Sequence, residues 1–400
     1  MHTLILAGSD GRALTPAATW ADTRASKTAE SFQKFYEDTG LYKDTGCSLS
    51  PAYPLYHLLW LKENDTKLFG RIDSIFSIKS FILNRLFSER IEDYSLAGAT
   101  GMFNIHSLKW DNRIVARLGV ELEKFPKPVP VSYEIKTDGG KFLPKNISSL
   151  IGSSDGVFAH MGSVGIKTER ASITLGTSGA VRIFLPEPLF DEKSRIWSYP
   201  EERDIWISGL ATGNCGNVIE NFTLSEYKHR LEIHEINEIL ADTEFSPNLI
   251  YNPFLFGERI PFRANSAGSG SFFNLNTEHR KSHKLRSVIE SIAFNLIDLL
   301  EILKSEREIN EIVLSGNISK IELIQDIIRT IAKMDHVSLT DENASLRGAF
   351  SLYARKNNVD NIIENKNGPF SNEIVPKRKS TLPGEKYREK YGLWRVKCLL

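Results

Sequence analysis

The sequence predicts a two-lobed α/β protein, and three observations carry that prediction. At 400 residues the chain exceeds what one core usually takes, at roughly 150 residues per domain. Its apolar residues switch between the two-residue period of strands and the 3.6-residue period of helices, the alternation expected of α/β layers. A proline-rich connector at 125–130, followed after Leu150 by a strand-turn-strand pattern, divides the chain.

The elements follow in order. Leu4 to Ala7 reads as a strand, Asp10-Gly11 as a tight turn, and the stretch near Ala17 to Trp20 as a second strand. Helical spacing then runs over Ala25 to Tyr42, over Tyr53 to Lys62, and through Ile78, Phe81, Ile82 and Leu86, each set giving one apolar face. Phe125-Pro126-Lys127-Pro128-Val129-Pro130 cannot continue a helix, because three alternate positions lack an amide donor and have fixed φ; it reads as an extended connector. Beyond it come strands at Ile173 to Leu175, Ala180 to Phe184 and Ile205 to Ser208, and a long helix over Glu278 to Ser305. A strand at Ile312 to Leu314 and a helix over Ile321 to Met334 follow, and the tail after Asn357 carries Tyr387, Tyr391 and Trp394 at the spacing of a docked helix. The expected divisions are 1–165, 166–356 and a polar tail, 357–400.

Lys plus Arg equals Asp plus Glu at 50 each, so no net field attracts polyanions. Nucleic acid and an anionic membrane are excluded as default partners, and a small molecule fits better. No apolar run reaches the eighteen or so residues that span a bilayer, and the opening residues lack the basic region of a signal peptide. The expectation is a cytoplasmic protein. Three widely spaced cysteines, Cys47, Cys215 and Cys398, offer neither a disulfide framework nor zinc-ligand spacing and read as reduced thiols. The nine histidines form no metal-binding cluster. Oligomeric state cannot be read from the residues; a homodimer stays open.

Two short segments carry candidate chemistry. In Ile151-Gly152-Ser153-Ser154-Asp155-Gly156 an acid abuts a glycine at the lobe junction, where it is either a turn residue or a carboxylate facing a cleft. Thr174-Leu175-Gly176-Thr177-Ser178-Gly179 places glycines and hydroxyls at a hairpin tip, where bare amides and OH groups can converge on phosphate oxygens. The chain has no G-x-x-x-x-G-K-[ST] loop. Ser178 lacks the strand-to-helix turn of a nucleophile elbow.

Taken together, the motifs resemble the FGGY carbohydrate kinases from Met1 to about Ala354. Met1-His2 is similar to the family's sugar-touching Met-His pair, and Thr19-Trp20-Ala21-Asp22-Thr23-Arg24 to its W-x-D-x-R sugar segment, in the T-W-A-D form of gluconokinases. Asp93-Tyr94-Ser95-Leu96-Ala97 and Thr100-Gly101-Met102-Phe103 match stretches of the first domain. Gly176-Thr177-Ser178-Gly179 matches the second phosphate motif, Gly213-Asn214-Cys215-Gly216-Asn217 the N-N-G-G stretch, and Gly257-Glu258-Arg259-Ile260-Pro261 the G-E-R-x-P segment. Leu314-Ser315-Gly316, with Leu346-Arg347-Gly348-Ala349 behind it, resembles the adenosine-site strand and the final helix.

The resemblance implies an actin-like, ribonuclease H-like ATPase fold that uses ATP and Mg2+ to phosphorylate a sugar or sugar acid, gluconate first and a pentulose such as xylulose second. It further implies that Asp155 is the catalytic base, that His2, Trp20, Asp22 and Arg24 hold the sugar, and that Gly176, Thr177, Ser178, Gly316 and Asn317 meet the nucleotide. For Trp20 a core role, and for Arg259 a loop-bracing salt bridge, stay open beside ligand contact. Two departures stand out. The D-x-G-T-T-type phosphate hairpin that opens the family's first domain is not among these residues, which leaves the first lobe incomplete at its start. Ser315-Gly316-Asn317 also stands where relatives carry paired glycines. Phosphoryl transfer depends on such positioning, so a non-catalytic sugar-binding remnant is the expected alternative.

Overall fold

In the computed structural model the described residues are 1–136, 144–255, 258, 270–333, 336–339, 343–359, 373–374 and 384–399. They fall into two compact units, neither a single run of chain. The first comprises Met1–Phe158, Leu185–Ser208 and Ala349–Asp360; the second comprises Ala159–Phe184, Gly209–Gly348 and Asn361–Leu400.

In the first unit, strand Ile5–Ala7 pairs antiparallel with Ser74–Phe76. Gly11 supplies the left-handed φ of +71° that the turn requires. The expected second strand near Ala17 to Trp20 does not form. The returning chain meets the first strand only at isolated bridges, Ala7 with Ala13 and Leu4 with Ala18, and Pro16 between them has no amide to donate. Likewise the spacing from Ala25 to Tyr42 yields two helices, Ser26–Asp38 and Leu41–Thr45, because Gly40 enters the left-handed region and breaks the run. Helix Pro54–Asn64 starts on proline, whose missing amide costs nothing in a first turn.

Helix Ile78–Phe87 corrects a burial expectation. Phe81, Leu83 and Phe87 turn inward onto small apolar clusters, whereas Ile78, Ile82 and Leu86 lie 43%, 45% and 38% exposed. The proline connector is extended as expected, and it also pairs: Lys127–Val129 lies parallel to Ile91–Asp93. A two-stranded sheet is all edge, where Pro128 is tolerated.

The second unit is built on a mixed sheet. Strands Gly179–Leu185, Arg170–Leu175, Glu311–Ser315, His336–Leu339 and Glu373–Ile374 lie side by side in that order. The first pair forms an antiparallel hairpin, and Glu311–Ser315 is parallel to both of its neighbours. Parallel pairing needs crossovers, and Glu322–Ala332 is the helix between Glu311–Ser315 and His336–Leu339. The long helix Lys281–Glu306 buries residues on every side over its middle turns, and Glu322–Ala332 packs against it.

Helix Gly384–Cys398 then docks on both, burying Tyr387, Lys390, Trp394 and Cys398. Lys390 donates to Glu290 Oε2 at 2.5 Å and to the Ser246 carbonyl at 2.6 Å. Arg286 donates to Glu290 Oε1 at 3.0 Å, to Tyr387 Oη at 2.8 Å and to the Thr243 carbonyl at 2.8 Å. A buried carboxylate is tolerable only with such partners. The three cysteines are free and buried.

Candidate active site

Helix Pro54–Asn64 is the platform for the first group of expected site residues. Tyr53, His57 and Trp60, at positions i, i+4 and i+7, share one face of it. The ring of His2 sits edge-on to Tyr53 at 5.0 Å and bonds the Ala99 carbonyl through Nδ1 at 2.8 Å. Tyr53 Oη in turn meets Tyr199 Oη at 2.9 Å. Asp22 accepts the amide and Nε of Arg24 at 3.1 and 2.9 Å, and the Arg24 guanidinium lies over the Trp60 ring at 5.3 Å.

Burial works to raise the Asp22 carboxyl, but the bonds from Arg24 outweigh it and hold the group below its usual range. Burial lowers the pKa of His57, with the Asp22 carboxylate opposing and Arg24 adding to the shift. The imidazole is therefore neutral at pH 7, and its buried Nε2 has no hydrogen-bond partner among the described residues. Trp20 is 48% exposed, which settles its core reading in the negative. Sequence reasoning missed Tyr53, His57 and Trp60, although their helical spacing was the available signal.

Asp155 is exposed and opens helix Asp155–Val164, its Oδ1 accepting the Gly156 amide at 2.8 Å. It is thus a helix-start acid rather than a turn residue.

The second group lies in the second unit. The loop Gly176-Thr177-Ser178 joins Arg170–Leu175 to Gly179–Leu185, and its carbonyls serve the first turn of helix Gly216–Glu226. Gly216 N donates to Gly176 O at 2.9 Å and Asn217 N to Thr177 O at 3.2 Å. The amides and hydroxyls of Thr177 and Ser178 donate to no acceptor among the described residues. Glycine is required on either side of this tip. A Cβ on Gly216 would fall 2.6 Å from Gly176 O, and one on Gly316, at φ +90°, would fall 2.3 Å from Leu175 O.

Gly316 and the exposed Asn317 therefore adjoin the hairpin tip, so three backbone segments meet where side chains cannot intrude. Unused amides and hydroxyls on bare backbone suit an anionic phosphate chain. A hollow lined by Gly216, Ile219, Thr223, Leu231, Ile236 and Ile318 lies beside them. Of the G-E-R-x-P segment only Glu258 is described, accepting Thr212 Oγ1 at 3.3 Å; Gly257 and Arg259 to Pro261 lie outside the described residues.

The comparisons with known proteins identify the family. The N-terminal domain model of the FGGY family of carbohydrate kinases matches residues 1–162, and its C-terminal domain model matches 171–355. This chain belongs to the FGGY family of carbohydrate kinases. It is 30% identical over 375 residues to a gluconokinase of Bacillus subtilis, covering 88% of this chain and 72% of that protein. A xylulose kinase of Staphylococcus xylosus is 24% identical over 367 residues, with 88% and 74% covered. Among solved structures, a gluconate kinase and a ligand-bound xylulose kinase, both from Lactobacillus acidophilus, superpose with TM-scores of 0.84 and 0.85. Each is 25% identical to this chain, covering 99% of it and 82% of the other.

The FGGY kinase has the two-domain actin-like ATPase fold of those neighbours, and its coarse activity is that of a sugar kinase. No helix among the described residues is long and apolar enough to cross a membrane.

Proposed function

We propose that this FGGY kinase transfers the γ-phosphoryl group of ATP to a hydroxyl of gluconate, giving 6-phosphogluconate. One observation carries the choice of a sugar acid: the Arg24 guanidinium engages Asp22 through Nε and lies over Trp60. Its terminal nitrogens enter no hydrogen bond among the described residues, leaving a fork that matches a carboxylate. The 30% identity to a gluconokinase, against 24% to a xylulose kinase, supports the same choice.

In this reading residues 1–165 bind the sugar acid through His2, Trp20, Asp22 and Arg24. Residues 166–356 bind ATP, with Thr177 and Ser178 donating to phosphate oxygens and Gly316 and Asn317 lying toward the nucleoside. Gly176, whose amide is turned to the Ser178 carbonyl at 3.1 Å, leaves the phosphates room. Asp155 accepts the proton of the attacking hydroxyl as general base. Among the described residues no group of three or more His, Cys, Asp or Glu could cage a metal. In this reading Mg2+ is carried chiefly by the phosphates, with few protein ligands. When bound, the ion neutralises charge on the transferred group.

The test is ADP release with gluconate, xylulose, ribulose and glycerol, for the wild type and for Asp155→Asn. Gluconate is expected to give the highest kcat/KM, and Asp155→Asn to lower kcat by about 10²- to 10⁴-fold. Asp155→Asn turning over at the wild-type rate would remove Asp155 as the base. Xylulose is the second reading, because the xylulose kinase superposes as well as the gluconate kinase; a higher kcat/KM for xylulose would establish it. Calorimetric gluconate binding without ATP turnover, at saturating magnesium, would instead mark a sugar-binding remnant.

A further inference from the structure

Around the segment that leads into Asp155 the first unit gathers three buried carboxyls, Glu92, Asp93 and Glu201, with one cation, Lys79. Lys79 Nζ donates to Asp93 Oδ2 at 2.6 Å and to the Gly152 carbonyl at 2.9 Å. Asp93 is anchored in turn, since its Oδ1 accepts the Leu96 amide at 3.0 Å and caps helix Tyr94–Gly98. Gly152, at φ +71°, donates its amide to Val131 O at 2.9 Å, and Val131 N reaches Glu201 O at 3.2 Å.

Burial pushes the Glu201 carboxyl up to about 8, with Ser95 and Ser153 opposing the shift. Burial and then the Asp93 carboxylate raise Glu92. Glu201 is therefore largely protonated at pH 7, and Lys79 with Asp93 forms the ion pair of the cluster.

We propose that Lys79 is a positioning residue for Asp155: by tying the Gly152 carbonyl to the anchored Asp93, it fixes how the chain enters the helix that Asp155 opens. The inference rests on the reading of Asp155 as general base. Without the tether residues 152–154 can shift, and a displacement near 1 Å at a reacting group costs about 100-fold. The loss falls on kcat; KM for ATP, whose candidate residues belong to the second unit, is unchanged.

Lys79→Met alone strands a buried aspartate, so the deciding variant is Lys79→Met with Asp93→Asn, which removes both charges and keeps an oxygen to cap Leu96. Both variants are expected to lose kcat by about 10- to 100-fold, and Lys79→Arg to regain part of it. Amide hydrogen exchange at residues 152–158 is expected to quicken in the double variant. Wild-type kcat in the double variant would show that the unpaired charge, not the tether, mattered. Unchanged exchange would overturn the proposal without reference to turnover. If Asp155→Asn is fully active, the base assignment itself falls, a result distinct from either.

Discussion

Each unit of this kinase is stabilised internally by different means. The second rests on one mixed sheet, a 26-residue helix buried through its middle and a closing helix locked by Lys390, Glu290 and Arg286. The first contains four two-stranded pieces among its described residues, joined by single side chains that reach across long sequence gaps. Tyr42 donates to the Ile196 carbonyl at 2.7 Å, Tyr53 meets Tyr199, and Lys79 bridges Asp93 and Gly152. The candidate sites follow suit. The first group is made of side chains, with His2, Asp22 and Arg24 carried outside any helix and packed beside Tyr53, which precedes helix Pro54–Asn64, and Trp60 within it. The second is backbone around Gly216 and Gly316. A site made of side chains changes preference by single substitutions, whereas one made of backbone is indifferent to most of them.

The largest expected effect tests whether the second unit's lock is its own. Lys390→Met leaves the Glu290 carboxylate short of a buried partner and should cost about 3–5 kcal/mol. Calorimetry is expected to show one transition falling by several degrees while the other stays in place. Two transitions moving together would mean that the units share one stability.

A smaller effect belongs to the first unit and depends on pH. The folded Glu201 carboxyl titrates near 8 against an ordinary 4.5. Between those values the folded chain holds a proton that the unfolded chain has released. Stability is thus lost as pH rises through that window, and Glu92, also raised, contributes with the same sign. Glu201→Gln removes its share: urea unfolding should find the variant close to wild type near pH 4.5 and more stable than wild type at pH 8. An unaltered pH slope would contradict the assignment.

The smallest effect concerns the exposed row Ile78, Ile82 and Leu86. Ile82→Glu should change stability by no more than about 0.5 kcal/mol. It is nonetheless expected to delay the rise of light scattering on warming, because apolar surface of this kind promotes association. A large stability loss would mean that Ile82 is packed.

Where element types depend on local periodicity, the sequence was readable. The hairpin at 170–185, the long helix and the docked tail helix lie within a few residues of their expected bounds. It was less readable where tertiary pairing decides. The proline connector becomes a strand only because Ile91–Asp93 offers an edge, and the apolar residues of helix Ile78–Phe87 divide between buried and exposed according to what packs nearby. For the site, Asp22 with Arg24 and Gly316 beside the 176–178 tip were anticipated as motif members. His57 and Lys79 were not, since a histidine in one helix and a lysine in another acquire meaning only from the buried groups that they face.

The lock on the second unit also sets an order of events during synthesis. Lys390 lies 100 positions beyond Glu290, so at 5–20 residues per second it leaves the ribosome roughly 5–20 s later. Throughout that interval the long helix has a Glu290 without Lys390, and a Phe294 without the rings of Tyr391 and Trp394 that cover it. The nascent chain thus presents a client surface for chaperones until its closing helix emerges.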